Sequence, residues 1–569
     1  MADHLRWTSE LMRSLYLNGV RDAVISPGSR STPITLAAAI HPGIKKKVVL
    51  DERSAAFIAL GIAKRSGTPA LLICTSGTAL ANYFPAVIEA SQSGVPMIIL
   101  SADRPPLLRG IGSSQTIDQL KIFGDYTSFF HDTGEPNLNS EDLKRVAYLG
   151  KQAVEKSLED NRPVHINLPF RKPLESDQQT LQKETEKSMR QFELMKNNDS
   201  KQVYRRVVSP VGKTASMLEE TEKPLIICGP SSTFKSLNHH VQTISKHLNS
   251  PIISEPGANV DTSGNLVIKR YEQFLQKKEI WKLLQPDLII RFGNQPYTKS
   301  LLSAFKNWSD VPVLHFNSNS STEDHQMSVT EKVVLNTNDR FNLSDLKIKK
   351  SSDWIEHWKK MDAISETKLE KALYEVTKLT DAHIMNFISK QLNYKWNVMI
   401  SNSFTVRDMA LFGSATVNQF VNRGAAGIDG IQSTAIGILS GSNKPTCCII
   451  GDLAFYHDSN ALLSLSSTLE APLITVVINN GGGTIFRMLP VYQSESLKIP
   501  DQLFESYFET PQTSSIQKLA ESASIQYIRI ENINDLCQLN FGQLSEHTII
   551  ECITDADESM NLREKLWTG

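Results

Sequence analysis

The 569-residue chain has no basic excess. Its 60 Lys and Arg stand against 61 Asp and Glu, a formal charge of −1, which leaves nothing to grip a phosphodiester backbone and argues against a dedicated nucleic-acid binder. No apolar run approaches the roughly 18–20 residues that span a bilayer. The opening Met1-Ala-Asp-His-Leu-Arg-Trp7 has no basic stretch followed by an apolar segment, so the expectation is a cytoplasmic protein without a transmembrane segment. Cysteine is sparse: Cys74, Cys228, Cys447, Cys448, Cys537 and Cys552 have no C-x-x-C spacing and read as core thiols, not disulfides or metal ligands. His239, His240 and His457 lack companions at zinc spacing. Gly229-Pro-Ser-Ser-Thr-Phe-Lys-Ser236 fails as a phosphate loop because Phe234 stands where glycine should precede the lysine. The triplets at Asn307 and Asn342 match a glycosylation pattern that a cytoplasmic protein never uses.

What is present is a globular composition, 40% hydrophobic and 21% charged, in a chain long enough for three or four domains at roughly 150 residues each. One grammar recurs: a short β-rich apolar run, a polar cluster, then a helical pattern. Ala23–Ser26 leads into Pro27-Gly-Ser-Arg30, Lys47–Leu50 into Asp51-Glu52-Arg53, Leu71–Cys74 into Thr75-Ser76-Gly77, and Met97–Leu100 into Ser101-Ala-Asp-Arg104. The pattern returns at Val398–Ile400, Cys447–Ile450 and Leu473–Ile478, which suggests two similar halves. Between them Pro224–Cys228, Pro251–Ser254 and Pro286–Arg291 describe another α/β unit. Continuous apolar strands alternating with helices predict doubly wound parallel sheets, with ligands beyond the carboxyl ends of the strands. The charged stretches Glu175–Lys201 and Lys347–Lys360 are the expected linkers, partly helical, giving domains 1–185, 186–360 and 361–569.

Chemistry gathers at two strand ends. Gly451-Asp452 follows one buried run, and Asn479 ends the next, 27 residues on. A carboxylate and a carboxamide at neighbouring strand ends suit a hard divalent ion completed by substrate phosphates, with Gly481–Gly483 letting the backbone approach and offer a carbonyl. Taken alone, the same residues could be turn chemistry.

The arrangement resembles the diphosphate-anchoring motif of thiamine diphosphate enzymes, which begins Gly-Asp-Gly and ends Asn-Asn; here Leu453 replaces the third residue. The resemblance implies pyrimidine-binding, central and diphosphate-binding domains, thiamine diphosphate held by Glu52, Ser76, Ile428, Gly451, Asp452, Leu453, Asn479, Gly481 and Gly482, and magnesium, with manganese as an alternative, on Asp452, Asn479 and Gly481. Glu52 would donate a hydrogen bond to the aminopyrimidine, and partial desolvation favours that protonated form. By itself Glu52 could equally favour the positive end of a helix over Phe57–Lys64. Ile428, in Arg423-Gly-Ala-Ala-Gly-Ile-Asp-Gly430, matches the apolar wedge that bends the cofactor.

Ser26-Pro-Gly-Ser-Arg-Ser-Thr-Pro33, Cys74–Asn82 with Asp103-Arg-Pro-Pro106, Asn422–Gly430, Gly451-Asp-Leu453, Arg162–Arg171 and Arg291-Phe-Gly293 together look like one branch, the 2-succinyl-5-enolpyruvyl-6-hydroxy-3-cyclohexene-1-carboxylate synthases of menaquinone biosynthesis. This implies a transferase that decarboxylates 2-oxoglutarate and adds a succinyl carbanion equivalent to isochorismate, with the cofactor as electron sink. Substrates with several carboxylates call for arginine forks. Ser403, Arg407 and Arg423 are placed near the oxoacid, and Ser29, Arg30, Arg104, Gln115 and Lys299 near isochorismate. Ser114 stands where some relatives carry asparagine. Ile485, Phe486 and Leu489 would flank the substrate and exclude water. The branch further implies a homodimer or homotetramer with active sites at the subunit interface, and a central domain that is structural or binds a regulatory ligand. A related oxoacid decarboxylase or acetohydroxyacid synthase is disfavoured by the Ser-Arg-Ser cluster and Leu453. A non-catalytic scaffold is disfavoured by the joint retention of Glu52, Asp452 and Asn479.

Overall fold

The computed structural model describes residues 4–196, 207–231, 237–318, 324–335, 339–349, 352–414, 418–465 and 470–568. Runs of two to seven residues, most of them apolar, form three six-stranded sheets, all parallel. The first contains β1 (Asp22–Ile25), β2 (Lys45–Val48), β3 (Ala70–Cys74), β4 (Met97–Asp103), β5 (Phe129–Asp132) and β6 (Pro163–Pro169), in the order β2-β1-β3-β4-β6-β5. After the short β7 (Val207–Val208), the second contains β8 (Pro224–Cys228), β9 (Ile252–Ser254), β10 (Val267–Ile268), β11 (Leu288–Phe292), β12 (Val313–Asn317) and β13 (Val329–Val334), in the order β10-β9-β8-β11-β12-β13. A two-residue strand, β14 (Arg340–Phe341), pairs with β7. The third contains β15 (Asn397–Ile400), β16 (Gln419–Val421), β17 (Thr446–Gly451), β18 (Leu473–Asn479), β19 (Gln526–Ile530) and β20 (Thr548–Ile553), in the order β16-β15-β17-β18-β20-β19. The first and third sheets thus share one winding, and the repeated grammar of the sequence is a repeated topology. Two compact units result: Met1–Val203 with Arg423–Asn443 and Asn460–Thr468, and Tyr204–Asn422 with Lys444–Ser459 and Leu469–Gly569.

In the first unit the helix Glu52–Ser66 starts on an Asp51 N-cap whose carboxylate accepts from the amides of Arg53 and Ser54, a contact worth about 1 kcal/mol. It crosses the helix Ile431–Ser442 at a backbone-to-backbone approach. A Cβ on Gly61 would lie 2.1 Å from the Thr434 carbonyl, and one on Gly437 would lie 2.0 Å from that of Ile58. Any larger residue at either position would force the helices apart.

Several expectations are corrected. The second strand is Lys45–Val48, not Lys47–Leu50. It is a solvent-facing edge paired in register with β1, Asp22 opposite Lys45, and lysines on an edge discourage further pairing. The expected helix Phe57–Lys64 begins five residues earlier, so Glu52 is its first residue. Five cysteines are buried thiols, but Cys537 is exposed on the helix Ile533–Gln538, where the apolar face is carried by Leu536. Both charged stretches are largely helical. Gln178–Lys196 and Ser352–Glu375 are helices, and the latter buries Trp354 and Trp358 in the central core beside Phe274. Part of each stretch, and Phe234, Lys235 and Ser236 of the rejected phosphate loop, lie outside the described residues. Among the described residues no helix is long and apolar enough to cross a membrane.

Candidate active site

At the carboxyl edge of the first sheet, the winding gathers the clusters that follow β1, β3, β4 and β6. Arg30 is 6% exposed and donates to the Phe170 carbonyl at 2.8 Å. Burial, and then the neighbouring charge of Arg104, push its pKa down. Two neighbouring guanidiniums on a partly desolvated edge suit an anion. Arg104 is half-buried and donates to the Ser114 carbonyl at 3.1 Å, so position 114 meets this arginine through its backbone. Ser29 is exposed. Buried Ser76 and exposed Gln115 exchange two bonds, Ser76 Oγ to the Gln115 carbonyl and Gln115 Nε2 to the Ser76 carbonyl, both 3.1 Å. The pair holds Gln115 at a left-handed φ of 54°.

Beneath this edge lies a buried polar layer that motif spacing did not reveal. Gln119, 1% exposed, accepts from the Gly77 amide and donates to Ala102 and Asn167. Asn167 in turn donates to Asp103 and Asp132, and Arg109 pairs with both of those carboxylates. Buried Asn and Gln need partners on both ends of the amide, and that requirement becomes visible once β4 and β6 are seen as neighbours.

Glu52 is half-buried at the first turn of its helix. Its charge reaches the buried Cys74 and Tyr83 and contributes to raising both groups, after the larger effect of burial. The loop carrying Arg423 and Ile428 belongs to the same unit. A Cβ on Gly430 would fall on the Phe57 ring, 2.0 Å away, so the end of this loop is seated against the helix that Glu52 begins. Ile428 is 37% exposed, an apolar side chain offered to solvent as a cofactor wedge would be. Glu89, 3% exposed, accepts from the amides of Gly424 at 3.0 Å and Ala425 at 2.7 Å and pairs with buried Lys64 at 3.7 Å. Neither Glu89 nor Lys64 was found from the sequence, because each sits in an ordinary helical run.

In the second unit, β17 and β18 pair with Gly451 opposite Ile478, so the next residues, Asp452 and Asn479, stand at adjacent strand ends. Asp452 is 4% exposed and accepts from the amides of Leu453 at 2.8 Å and of Gly482. Burial pushes its carboxyl up to about 6, partly offset by those amides. Asn479 donates from Nδ2 to Glu551 at 2.7 Å, and its Oδ1 accepts from the Gly481 amide at 3.2 Å. A Cβ on Gly451 or Gly481 would meet nothing within 4 Å, so both glycines border open space. A buried carboxylate, a carboxamide with its nitrogen engaged and an open glycine backbone fit a hard cation with few protein ligands. Among the described residues no cluster of three or more His, Cys, Asp or Glu could hold a metal; the candidate site draws on one carboxylate.

Arg407 and Ser403 meet directly, Nη1 donating to the Ser403 carbonyl at 2.5 Å. Ser403 holds a left-handed φ of 67°, a strained conformation that costs of order 1–3 kcal/mol and accumulates at functional sites. Beneath them Arg563 is 1% exposed and pairs with Asp381 and Asp408, and Asp381 also accepts from Asn480 at 3.3 Å. Burial pushes Asp408 up to about 6 against the pull of Arg563. Ile485 is half-buried, and Phe486 and Leu489 are each 38% exposed on the turn Thr484–Met488 and just after it. Lys299, on the central sheet's edge, is exposed at the start of the helix Lys299–Asn307. The backbone before it is held by Glu255, which accepts from the Tyr297 and Thr298 amides.

Thiamine diphosphate enzymes are the class these features define. The family described as "Thiamine pyrophosphate enzyme, N-terminal TPP binding domain" matches residues 7–122, the part that holds β1 to β4. Over nearly the whole chain the similarity is narrower. A 2-succinyl-5-enolpyruvyl-6-hydroxy-3-cyclohexene-1-carboxylate synthase of Oceanobacillus iheyensis is 32% identical over 99% of this chain and 97% of its own length. That of Listeria monocytogenes serovar 1/2a is 33% identical over 99% and 96%, and that of Bacillus velezensis 34% identical over 87% and 85%. The chain belongs to the 2-succinyl-5-enolpyruvyl-6-hydroxy-3-cyclohexene-1-carboxylate synthase family, and is an enzyme that depends on thiamine diphosphate.

Proposed function

We propose that this enzyme, with thiamine diphosphate and Mg2+ or Mn2+, releases carbon dioxide from 2-oxoglutarate and joins the remaining succinyl unit to isochorismate, giving 2-succinyl-5-enolpyruvyl-6-hydroxy-3-cyclohexene-1-carboxylate for menaquinone biosynthesis. The observation that carries the reading is the pairing of Gly451 with Ile478, which sets Asp452 beside Asn479. In the same chain an acid opens the helix Glu52–Ser66 and a half-exposed Ile428 stands on a clamped loop. When bound, the cofactor would supply an acidic thiazolium carbon and an electron sink. Asp452, the Asn479 oxygen and the Gly481 carbonyl would hold the cation and, through it, the diphosphate; Gly451, Leu453 and Gly482 would line that cradle, and Ser76 would face the cofactor from the first sheet. Glu52 would donate a hydrogen bond to a pyrimidine nitrogen.

Arg407 and Arg423, with Ser403, would take the carboxylates of 2-oxoglutarate. Arg30, Arg104, Ser29, Gln115 and Lys299 would hold isochorismate. Each fixed guanidinium–carboxylate contact is worth about 1.5–3 kcal/mol. Ile485, Phe486 and Leu489 would exclude water, so that carbon–carbon bond formation outruns protonation. The domains would run 1–185, 186–360 and 361–569, with Glu52 and the Asp452 cradle closing one site from two subunits of a homodimer or homotetramer in the cytoplasm. The test is carbon dioxide release from 2-oxoglutarate with isochorismate, thiamine diphosphate and Mg2+ omitted in turn. Release that depends on all three is expected; turnover of pyruvate alone would favour the related decarboxylases instead.

A further inference from the structure

Glu551 lies on β20, 6% exposed, in register with Val477 of β18 and Arg529 of β19. It is 72 residues from Asn479 in sequence, so no motif spacing points to it. Its two oxygens are divided: Oε1 accepts from Asn479 Nδ2 at 2.7 Å, and Oε2 accepts from the Tyr527 hydroxyl.

An ionised carboxylate can only accept, so the end of the Asn479 amide that faces it must be the NH2. The carbonyl oxygen is thereby turned to the other side, toward the Gly481 amide and the end of β18 beside Asp452. A carboxamide has nearly the same shape when flipped, yet the flipped form would present two N–H groups to a cation and repel it. Packing alone therefore cannot choose the productive orientation; an acceptor behind it can. We propose that Glu551, braced by Tyr527, is a positioning residue that locks the Asn479 oxygen toward the divalent cation and so sets the metal affinity of the site. This rests on the cation reading of Asp452 and Asn479 given above. Partners behind a metal ligand typically change affinity about 10–100-fold when removed.

The experiment measures Mn2+ binding to the full-length protein with thiamine diphosphate present, by electron paramagnetic resonance of the free ion. Glu551→Leu, which removes the acceptor, should weaken binding by about tenfold or more. Glu551→Gln keeps an acceptor oxygen for Asn479 and loses the charge, and should stay within about threefold of wild type. Leucine binding as tightly as wild type would overturn the proposal. So would glutamine as weak as leucine, because through-space charge would then be the cause. If the leucine variant does not fold, Glu551→Ala serves in its place and the same two comparisons decide. Wild-type protein that binds no Mn2+ would instead remove the cation reading itself, a result distinct from equal binding by wild type and variant.

Discussion

The first and third sheets follow the same strand order, yet the residues that close their carboxyl edges differ in chemistry. The first ends in cations: buried Arg30 beside Arg104, over a layer in which Asn167, held by Gln119, donates to Asp103 and Asp132 while Arg109 pairs with both. On the third, β17 and β18 end in oxygens, buried Asp452 beside an Asn479 whose nitrogen is engaged by Glu551, while Arg407 follows β15 on the same edge. Topology decides where residues meet, and the residues after each strand decide what they attract. The first edge suits carboxylates, and the ends of β17 and β18 suit a cation with its phosphates. The central sheet shows a third outcome, since its buried acids Glu255 and Glu272 are spent on the backbone and hydroxyls of residues 297–300.

The largest expected effect breaks the comparison at Glu52, the acid proposed to act on the cofactor. Glu52→Gln should retain thiamine diphosphate in a calorimetric titration but lose about 10²–10⁴ in isochorismate-dependent carbon dioxide release, the range of a lost proton-transfer group. Full activity would remove Glu52 from the chemistry. Next, Asp452→Ala on the opposite edge should weaken metal-dependent cofactor binding about 100-fold, on the scale of one charge-assisted contact, with little change in the absence of metal. Arg104→Leu should then lower kcat/KM for isochorismate by about 10–100-fold, corresponding to about 1.5–3 kcal/mol, while KM for 2-oxoglutarate stays near wild type; an equal rise in both would erase the division of the arginines.

The smallest effect sharpens the contrast with the central sheet. Burial raises Glu272 from 4.5 to about 8, despite hydrogen bonds from Ser300 and Gln276. The folded state keeps a proton that the unfolded chain releases across that window, so this residue's contribution to stability is full below pH 4.5 and is lost as pH rises toward 8. Urea midpoints measured from pH 5 to 8 should fall less steeply for Glu272→Gln than for wild type. Parallel slopes would show that this acid is not held neutral.

Much of the site was legible because its signals are local. Gly451-Asp452 and Asn479 announce themselves as strand-end residues after apolar runs, and the repeated run-then-turn grammar foretold two similar sheets. Helix starts are less legible: the helix expected over Phe57–Lys64 begins at Glu52 on the Asp51 cap, because its polar first turn carries no apolar periodicity. Glu89, Lys64, Gln119, Asn167, Glu551 and Arg563 were silent. Each is a buried polar group whose partner is distant in sequence, and solvated surface faces have the same composition.

By itself the sequence determined the parallel winding, the strand ends at which ligands would gather and the residue types presented there, because strand period, turn chemistry and apolar continuity act over a few residues. Tertiary structure alone decided which polar groups pair beneath those ends, that Glu89 clamps the loop of Ile428 and that Glu551 orients Asn479. A buried donor must find its acceptor in space, and that distance is set by sheet order and register, which no local pattern encodes.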